Sequence, residues 1–199
     1  MRSRKMTKAD FKAIRNGLKQ YAKLGDRFNM YSTQDIRFYK DSIVGDLLGV
    51  KKMNESNHGW DGQFENGVYF ENKNNNIFNT PTAYRLIFQD TSETKIQEMK
   101  DGVVVTNTYW LNAGTPGFIM LGNTRNVSDQ LSDIRGSRKT SSASFTDCFQ
   151  NGFKIVAVGL TKDEVIDVLK IKLPTFGNTL TKKDIYAEKD LHKLVSKMM

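Results

Sequence analysis

The N-terminal quarter of the chain carries apolar residues at helical spacing. In residues 7–24 they recur every three or four positions, which predicts an amphipathic helix. A second apolar stripe starts after Thr33, a residue that can cap a helix N-terminus, and stops before Gly49, a residue type that often ends helices. The sequence therefore predicts two helices within residues 7–49.

The pattern then changes to short runs typical of strands. Two predicted strands, residues 60–64 and 68–73, flank the tripeptide Glu65-Asn66-Gly67. An Asn-Gly pair between two such runs is a strong signal for a β-hairpin, because both residues tolerate a positive φ. We therefore predict a β-hairpin here.

The middle of the chain predicts more strands and one helix. Short apolar and β-branched runs predict strands at residues 84–89, 103–111 and 118–121, the second of them after a turn at Asp101-Gly102. Helical spacing returns at residues 127–134, and a mostly apolar run predicts a strand at residues 153–158.

The C-terminal region again carries helix signals. Thr161 and Glu164 have the spacing of a capping box, so a helix is predicted from Thr161 to residue 172, ended by Pro174. A final charged helix is predicted from Thr181.

The order of these elements predicts an α/β or α+β fold, with a mixed β-sheet flanked by helices. No linker or repeat divides the chain, so we predict a single domain over residues 1–199. It would contain N-terminal helices at 7–49, the hairpin at 60–73 and C-terminal helices at 161–197.

The composition fits one folded domain. The 199 residues are 38% hydrophobic, which is enough apolar material for a core. No run approaches the roughly 18 apolar residues of a membrane span, and the first residues contain no apolar stretch typical of a signal peptide. We therefore expect an intracellular, cytoplasmic protein with no membrane association.

Scarce residue types exclude several kinds of active site. A single cysteine, Cys148, allows no internal disulfide and no thiolate zinc site, and the two histidines, His58 and His192, are far apart. Neither histidine lies near a nucleophile motif, and the segment from Gly114 lacks the ending of a phosphate-binding P-loop. Carboxylate and lysine chemistry remains.

The charge favours an anionic partner. Thirty Lys and Arg residues against 22 Asp and Glu give a net charge of +8. Lysine and arginine placed on phosphates release condensed counterions, so nucleic acid is the partner that fits best. The alternative is that the charge only keeps the domain in solution.

Three residues of the predicted hairpin could carry a reaction. Asp61 lies in the first strand, and Glu71 and Lys73 lie two positions apart in the second, so these two side chains share a face. Two carboxylates can hold Mg²⁺, which activates water and neutralises charge on a phosphodiester. The alternative is a solvated hairpin face on which Glu71 and Lys73 pair with polar neighbours.

The segment that contains these residues, WDGQFENGVYFENKN, resembles the signature of the PD-(D/E)XK nucleases, the superfamily that includes most type II restriction endonucleases. The resemblance implies an αβββαβ core. It also implies that Asp61, Glu71 and the main-chain carbonyl of Asn72 bind Mg²⁺, and that Lys73 positions or polarises the attacking water. Trp60 stands where many members have proline.

The resemblance leaves one further acid open. In many members of the superfamily, an acidic residue on the preceding helix assists the metal site. Asp41 and Asp46 both lie on the predicted second helix, and the spacing does not choose between them.

The register of the hairpin decides whether the two carboxylates meet. A two-residue loop, Asn66-Gly67, would pair Asp61 with Asn72 and place Asp61 and Glu71 on opposite faces. A three-residue loop with Gly67 in a left-handed conformation would pair Asp61 with Glu71. We expect the three-residue loop, or a break near Asp61 that re-aims its side chain.

Three asparagines next to the hairpin are candidates for base contacts. Asn74, Asn75 and Asn76 follow Lys73 directly. Asparagine can make a bidentate contact to adenine in the major groove, which favours base recognition. The alternative is a polar loop, since asparagine is also common in turns.

A basic segment is the second candidate for contacts with nucleic acid. Residues 135–145, RGSRKTSSASF, have no apolar period and predict an exposed loop. Arg135, Arg138 and Lys139 could bind phosphates there. The alternative is an ordinary surface loop.

These features favour a Mg²⁺-dependent endonuclease that cuts duplex DNA at a specific site. Because one active site cuts one strand, we expect a homodimer whose twofold symmetry matches a palindromic target. Two alternatives remain. One is a basic DNA-binding protein without catalysis, and the other is a nuclease for branched or damaged DNA or for RNA, because the same three residues act on any phosphodiester.

Overall fold

A computed structural model describes residues 16–17, 33–53, 59–112 and 114–199. Of the helix predicted at residues 7–24, only residues 16–17 are described, and they are helical. The rest of that predicted helix lies outside the described residues. The second predicted helix is confirmed, because residues 33–48 are helical and the helix ends before Gly49.

The α-helices of the described part are α1 (Thr33–Leu48), α2 (Glu93–Asp101), α3 (Ser128–Ser132), α4 (Phe145–Gln150), α5 (Lys162–Lys172), α6 (Pro174–Gly177) and α7 (Leu191–Met198). Its strands are β1 (Lys52–Met53), β2 (Gly62–Gln63), β3 (Tyr69–Asn76), β4 (Arg85–Phe88), β5 (Val104–Asn112), β6 (Thr115–Asn123), β7 (Ser141–Ser144), β8 (Lys154–Ala157) and β9 (Ile185–Ala187). Short 3₁₀ turns lie at Pro81–Ala83, Thr124–Val127 and Glu188–Asp190.

A seven-stranded mixed sheet forms the centre of the fold, in the order β1-β2-β3-β5-β6-β8-β9. The pairs β3–β5 and β8–β9 are parallel, and the other neighbours are antiparallel. Strands β4 and β7 form a separate antiparallel ladder. The predicted fold class, a mixed sheet flanked by helices, is confirmed.

Successive side chains of a strand point to opposite faces of the sheet. The central strands carry apolar side chains at both sets of positions, so both faces of the sheet are apolar. In β5, Val105 and Tyr109 belong to a buried cluster that includes side chains of α2 to α6 and of the β4–β7 ladder. Val104 and Trp110 belong to a second cluster, which includes side chains of α1 and α7. The molecule therefore has three layers, with the sheet in the middle.

Helix α2 lies in the crossover between the parallel strands β3 and β5. The side chain of Ser92 caps it by accepting a hydrogen bond from the main-chain N–H of Lys95 at 3.1 Å. The helix ends at Asp101 and is followed by Gly102, whose φ of 113° suits glycine. This helix is absent from the sequence-based prediction, in which Asp101-Gly102 is a turn before a strand. Its apolar pattern in the sequence is weak, because Ile96 and Met99 are the apolar residues of this helix and only Met99 is fully buried.

Two other regions differ from the prediction. Residues 141–144, predicted as part of an exposed loop, form β7, and α4 follows at once. Their sequence Ser-Ser-Ala-Ser carries one apolar side chain, so pairing with β4 rather than local pattern makes them a strand. Residues 185–187 form β9, so the last helix starts at Leu191 instead of Thr181.

The strongest local signals in the C-terminal region are confirmed. Helix α5 starts after Thr161, and Thr161 and Glu164 form the capping box. Leu173 ends the helix, and Pro174 opens the short helix α6. Within the described ranges, none of the helices has the length and apolar character that crossing a bilayer requires.

Candidate active site

The hairpin that carries Asp61 and Glu71 has the three-residue loop. Gly62 pairs with Phe70, a register that places Asp61 opposite Glu71. Gly67 has a φ of 88°, the left-handed conformation that this loop requires. The predicted register is confirmed.

The strand ladder stops at this point, and side chains continue the hydrogen bonding between the two arms. Asp61 Oδ2 accepts a hydrogen bond from the main-chain N–H of Asn72 at 2.7 Å. Glu71 Oε2 accepts one from the main-chain N–H of Asp61 at 3.3 Å. The two carboxylates, called the acidic pair below, are thus held beside each other by the main chain of the opposite arm.

Lys73 joins the acidic pair from the same face of β3. Its ammonium group forms a salt bridge with Glu71 Oε1, and Glu71 is 2% exposed. The Lys73 Nζ also lies 4.8 Å from the centroid of the Phe88 ring in β4. The fold therefore brings together the three residues that the sequence singles out.

The acidic pair lies in surroundings that disfavour two negative charges. Burial, together with the charges of Glu71 and Asp41, raises the pKa of Asp61 to about 8. Burial also raises the pKa of Asp41 to about 6. Carboxylates in such a position gain more from a nearby cation than exposed ones do.

Asp41 ties helix α1 to the other face of β3. Its Oδ1 accepts hydrogen bonds from Asn72 Nδ2 at 2.7 Å and from Asn74 Nδ2 at 2.6 Å. Asn72 Oδ1 accepts hydrogen bonds from the hydroxyl groups of Thr106 and Thr108, at 2.8 and 2.7 Å. Asp41 is therefore an acidic residue of the preceding helix on the opposite face of β3, and its charge contributes to the raised pKa of Asp61.

The donor set of the acidic pair suits Mg²⁺. Two carboxylates and the main-chain carbonyl of Asn72, the ligands that the resemblance implies, are all hard oxygen donors. Among the described residues, no three His, Cys, Asp or Glu side chains form a group that could hold a metal ion. The proposed site needs only two carboxylates, because its third protein ligand is a main-chain carbonyl.

Helix α2 adds side chains that the sequence does not single out. Trp60 Nε1 donates a hydrogen bond to Glu98 Oε2 at 2.9 Å, which fixes the residue directly before Asp61. The Lys95 Nζ lies 5.0 Å from the centroid of the Trp60 ring and 5.7 Å from that of Phe88. Burial lowers the pKa of Lys95. No sequence motif predicts that α2 lies next to the hairpin. Its place follows from the crossover between β3 and β5, which contains this helix.

The three asparagines proposed for base contacts lie in β3 and not in a loop, so the alternative is wrong about their secondary structure, and base contact stays a prediction. Asn74 Oδ1 accepts a hydrogen bond from the Trp110 indole at 2.8 Å, and Asn75 Nδ2 donates to Asn107 Oδ1. Asn74 and Asn75 are half-buried, and Asn76 is exposed at the end of the strand. Asn76 Oδ1 also accepts a hydrogen bond, from the main-chain N–H of Phe78 at 2.8 Å, so its exposure is what makes Asn76 the best placed of the three for an outside partner.

The cluster Arg135, Arg138 and Lys139 lies in a tight exposed turn, residues 135–140, called the basic turn below. Arg135 and Thr140 pair across it through main-chain hydrogen bonds of 2.8 and 2.9 Å. The side chain of Arg135 forms a salt bridge with Asp133. The predicted exposure of these three basic residues is confirmed.

The basic turn is connected to the candidate site through the β4–β7 ladder. Its carbonyls of Arg138 and Lys139 accept main-chain hydrogen bonds from Asp90 and Thr91 at 3.1 Å. The turn leads directly into β7, whose first residue pairs with Phe88, the ring that contacts Lys73. The turn therefore lies at the end of the ladder that borders the acidic pair.

Comparisons of the chain with protein-family models, with curated proteins and with solved structures found no match. The functional argument therefore depends on the site itself.

Proposed function

We propose that the protein is a Mg²⁺-dependent endonuclease of the PD-(D/E)XK type that hydrolyses phosphodiester bonds in duplex DNA at a specific site. The observation that carries the proposal is the convergence of Asp61, Glu71 and Lys73 through the register of one hairpin. The element order also supports it. Helix α1 is followed by the strands β1, β2 and β3, then by α2 and β5, which is the order of the αβββαβ core that the resemblance implies. Strand β4, which lies between β3 and α2 in the chain, is not part of the main sheet.

The proposed chemistry assigns one role to each residue. Asp61, Glu71 and the Asn72 carbonyl hold Mg²⁺, which when bound supplies an activated water and offsets charge on the phosphate. Lys73, held by Glu71, orients the attacking water. In the net reaction the water oxygen forms a new bond to phosphorus and one P–O ester bond breaks. One water proton ends on the released hydroxyl group.

Charge supports DNA as the substrate. The net charge of +8 favours a polyanion, and the basic turn presents the exposed Arg138 and Lys139 at the end of the β4–β7 ladder. Cutting both strands at one position needs two active sites, so the proposal includes a homodimer. Asn76, at the exposed end of β3, is the asparagine proposed for base contact.

Digestion of a long DNA of known sequence tests the function. With purified protein and Mg²⁺ we expect discrete fragments, and with EDTA we expect intact DNA. A smear would indicate a nuclease without site preference, and digestion of RNA or of branched DNA only would indicate another substrate. DNA that stays intact in Mg²⁺ but is bound in a salt-dependent manner would contradict catalysis and favour a binding protein.

The basic turn gives a separate prediction for binding. Changing Arg138→Ala and Lys139→Asn together is expected to weaken DNA binding and to lower the salt slope of log Kd by about two, one per lost phosphate contact. Asparagine is chosen because Lys139 has a φ of 43°, which alanine adopts poorly. Fluorescence anisotropy of a labelled duplex in EDTA at several salt concentrations measures both.

The matched control is Lys183→Ala. Lys183 is exposed just before β9, at the edge of the sheet remote from β3. Its replacement is expected to leave the salt slope unchanged, and an equal loss in both variants would show that the basic turn has no special place in binding.

A further inference from the structure

Lys95 occupies a position that helix stability does not explain. It lies in the first turn of α2, where the positive end of the helix dipole disfavours a cation. The side chain is half-buried, which adds a desolvation cost for its charge. Among the described residues, Lys95 takes part in no salt bridge. A position that breaks local rules in this way is often a functional one.

The surroundings of Lys95 hold its ammonium group in one place beside the acidic pair. The Trp60 ring and the Phe88 ring both lie within 6 Å of its Nζ, and Trp60 is itself fixed by Glu98 one turn further along α2. Burial lowers the pKa of Lys95 and the charge of Lys73 adds to this, while the charges of Glu71 and Asp61 oppose it, so Lys95 lies within electrostatic range of the site. The side chain is therefore preorganised at the site rather than extended into solvent.

Lys95 and Lys73 flank the same ring but differ in their partners. The Lys73 Nζ lies 4.8 Å from the Phe88 centroid and is bound to Glu71, so its charge is already neutralised. The Lys95 Nζ lies 5.7 Å from the same centroid, and within the described part of the chain no carboxylate forms a salt bridge with it. An anion that reaches the acidic pair from this face would meet both ammonium groups.

We propose that Lys95 is a further catalytic residue, whose ammonium group binds a non-bridging oxygen of the scissile phosphate and stabilises the charge that develops there. The inference rests on the proposed nuclease function. Lys95 donates hydrogen bonds and keeps its protons, so the balance of the hydrolysis is unchanged. In this arrangement Lys73 orients the attacking water, and Lys95 stabilises the negative charge on the phosphate.

Single-turnover cleavage of supercoiled plasmid in Mg²⁺ tests the role. Lys95→Met keeps the length and packing of the side chain but removes its charge, and we expect the rate to fall about 10²-fold. Lys95→Arg, which keeps a charged donor, is expected to lose less. Lys100→Met is the matched control, because Lys100 is exposed in the last turn of the same helix, and its rate should equal that of the wild type.

A second measurement separates a direct contact from packing. Ethylammonium should restore part of the cleavage rate of Lys95→Ala, because it can place an N–H donor in the vacated space. Tetramethylammonium at the same concentration carries the same charge without a donor and should not restore it. Thermal unfolding and duplex binding in EDTA check that each variant is folded and binds.

Each outcome decides a different question. A wild-type protein that cuts DNA and a Lys95→Met variant that cuts equally fast would overturn the role of Lys95 and leave the nuclease function standing. A slow Lys95→Ala variant with a lowered unfolding midpoint and no response to ethylammonium would assign Lys95 to packing. A wild-type protein that cuts no nucleic acid in Mg²⁺ would overturn both proposals.

Discussion

Replacing Glu71 with glutamine is expected to lower plasmid cleavage in Mg²⁺ at least about 10³-fold while duplex binding in EDTA is retained. The substitution keeps the shape of the side chain and an oxygen for the Lys73 ammonium group, but removes one of the two charges that would hold the ion. Lys73→Met should have an effect of similar size, because the attacking water would lose its partner. Supercoiled, nicked and linear plasmid, resolved over time, give the rates.

Glu65→Gln is the matched control for this experiment. Glu65 is an exposed acid in the loop of the same hairpin, 3.6 Å from Lys51. Surface substitutions of this kind change free energies little, so its cleavage rate should stay within about twofold of the wild type. Equal activity in Glu71→Gln and the wild type would remove the metal site as proposed.

Replacing Asp41 with alanine is expected to lower the free energy of unfolding by about 3 kcal/mol. The change removes the acceptor of two amide groups, Asn72 Nδ2 and Asn74 Nδ2, in the contact between α1 and β3. Unsatisfied polar groups in such positions are costly. Equilibrium unfolding in urea, with an unchanged m-value, measures the loss.

Asp41→Asn separates the hydrogen bonds from the charge. The asparagine Oδ1 can still accept from Asn72 and Asn74, and the substitution removes a charge that burial disfavours. We therefore expect this variant to lose clearly less stability than Asp41→Ala. If both variants lose the same amount, the two amide bonds do not account for the effect.

The sequence predicts the hairpin and its chemistry because their signals are local. Asn66-Gly67 marks the position of the turn, and the three-residue loop Glu65-Asn66-Gly67 then places Asp61 opposite Glu71 by strand alternation. Helix α5 is predicted for the same reason, since its capping box lies within four consecutive residues. Such signals need no knowledge of the rest of the fold.

Elements that depend on distant partners are not predicted. Strand β7 has almost no apolar side chains and exists because β4 pairs with it. Helix α2 carries two apolar residues, Ile96 and Met99, and buries only Met99 fully, so its apolar stripe is too weak to detect. Missing α2 also means missing Lys95, whose place beside the hairpin follows from the crossover alone.

The ladder between β2 and β3 ends after two residue pairs, and the carboxylate of Asp61 binds the next main-chain N–H along β3. An exposed strand edge with free N–H groups is a template on which a second chain can add a strand and start aggregation. Here the carboxylate of Asp61 occupies that N–H, and Asn72 is 1% exposed, so the side chain takes the place of the third residue pair of the ladder. The residue assigned to the reaction thus also completes the main-chain hydrogen bonding of β3 where β2 ends.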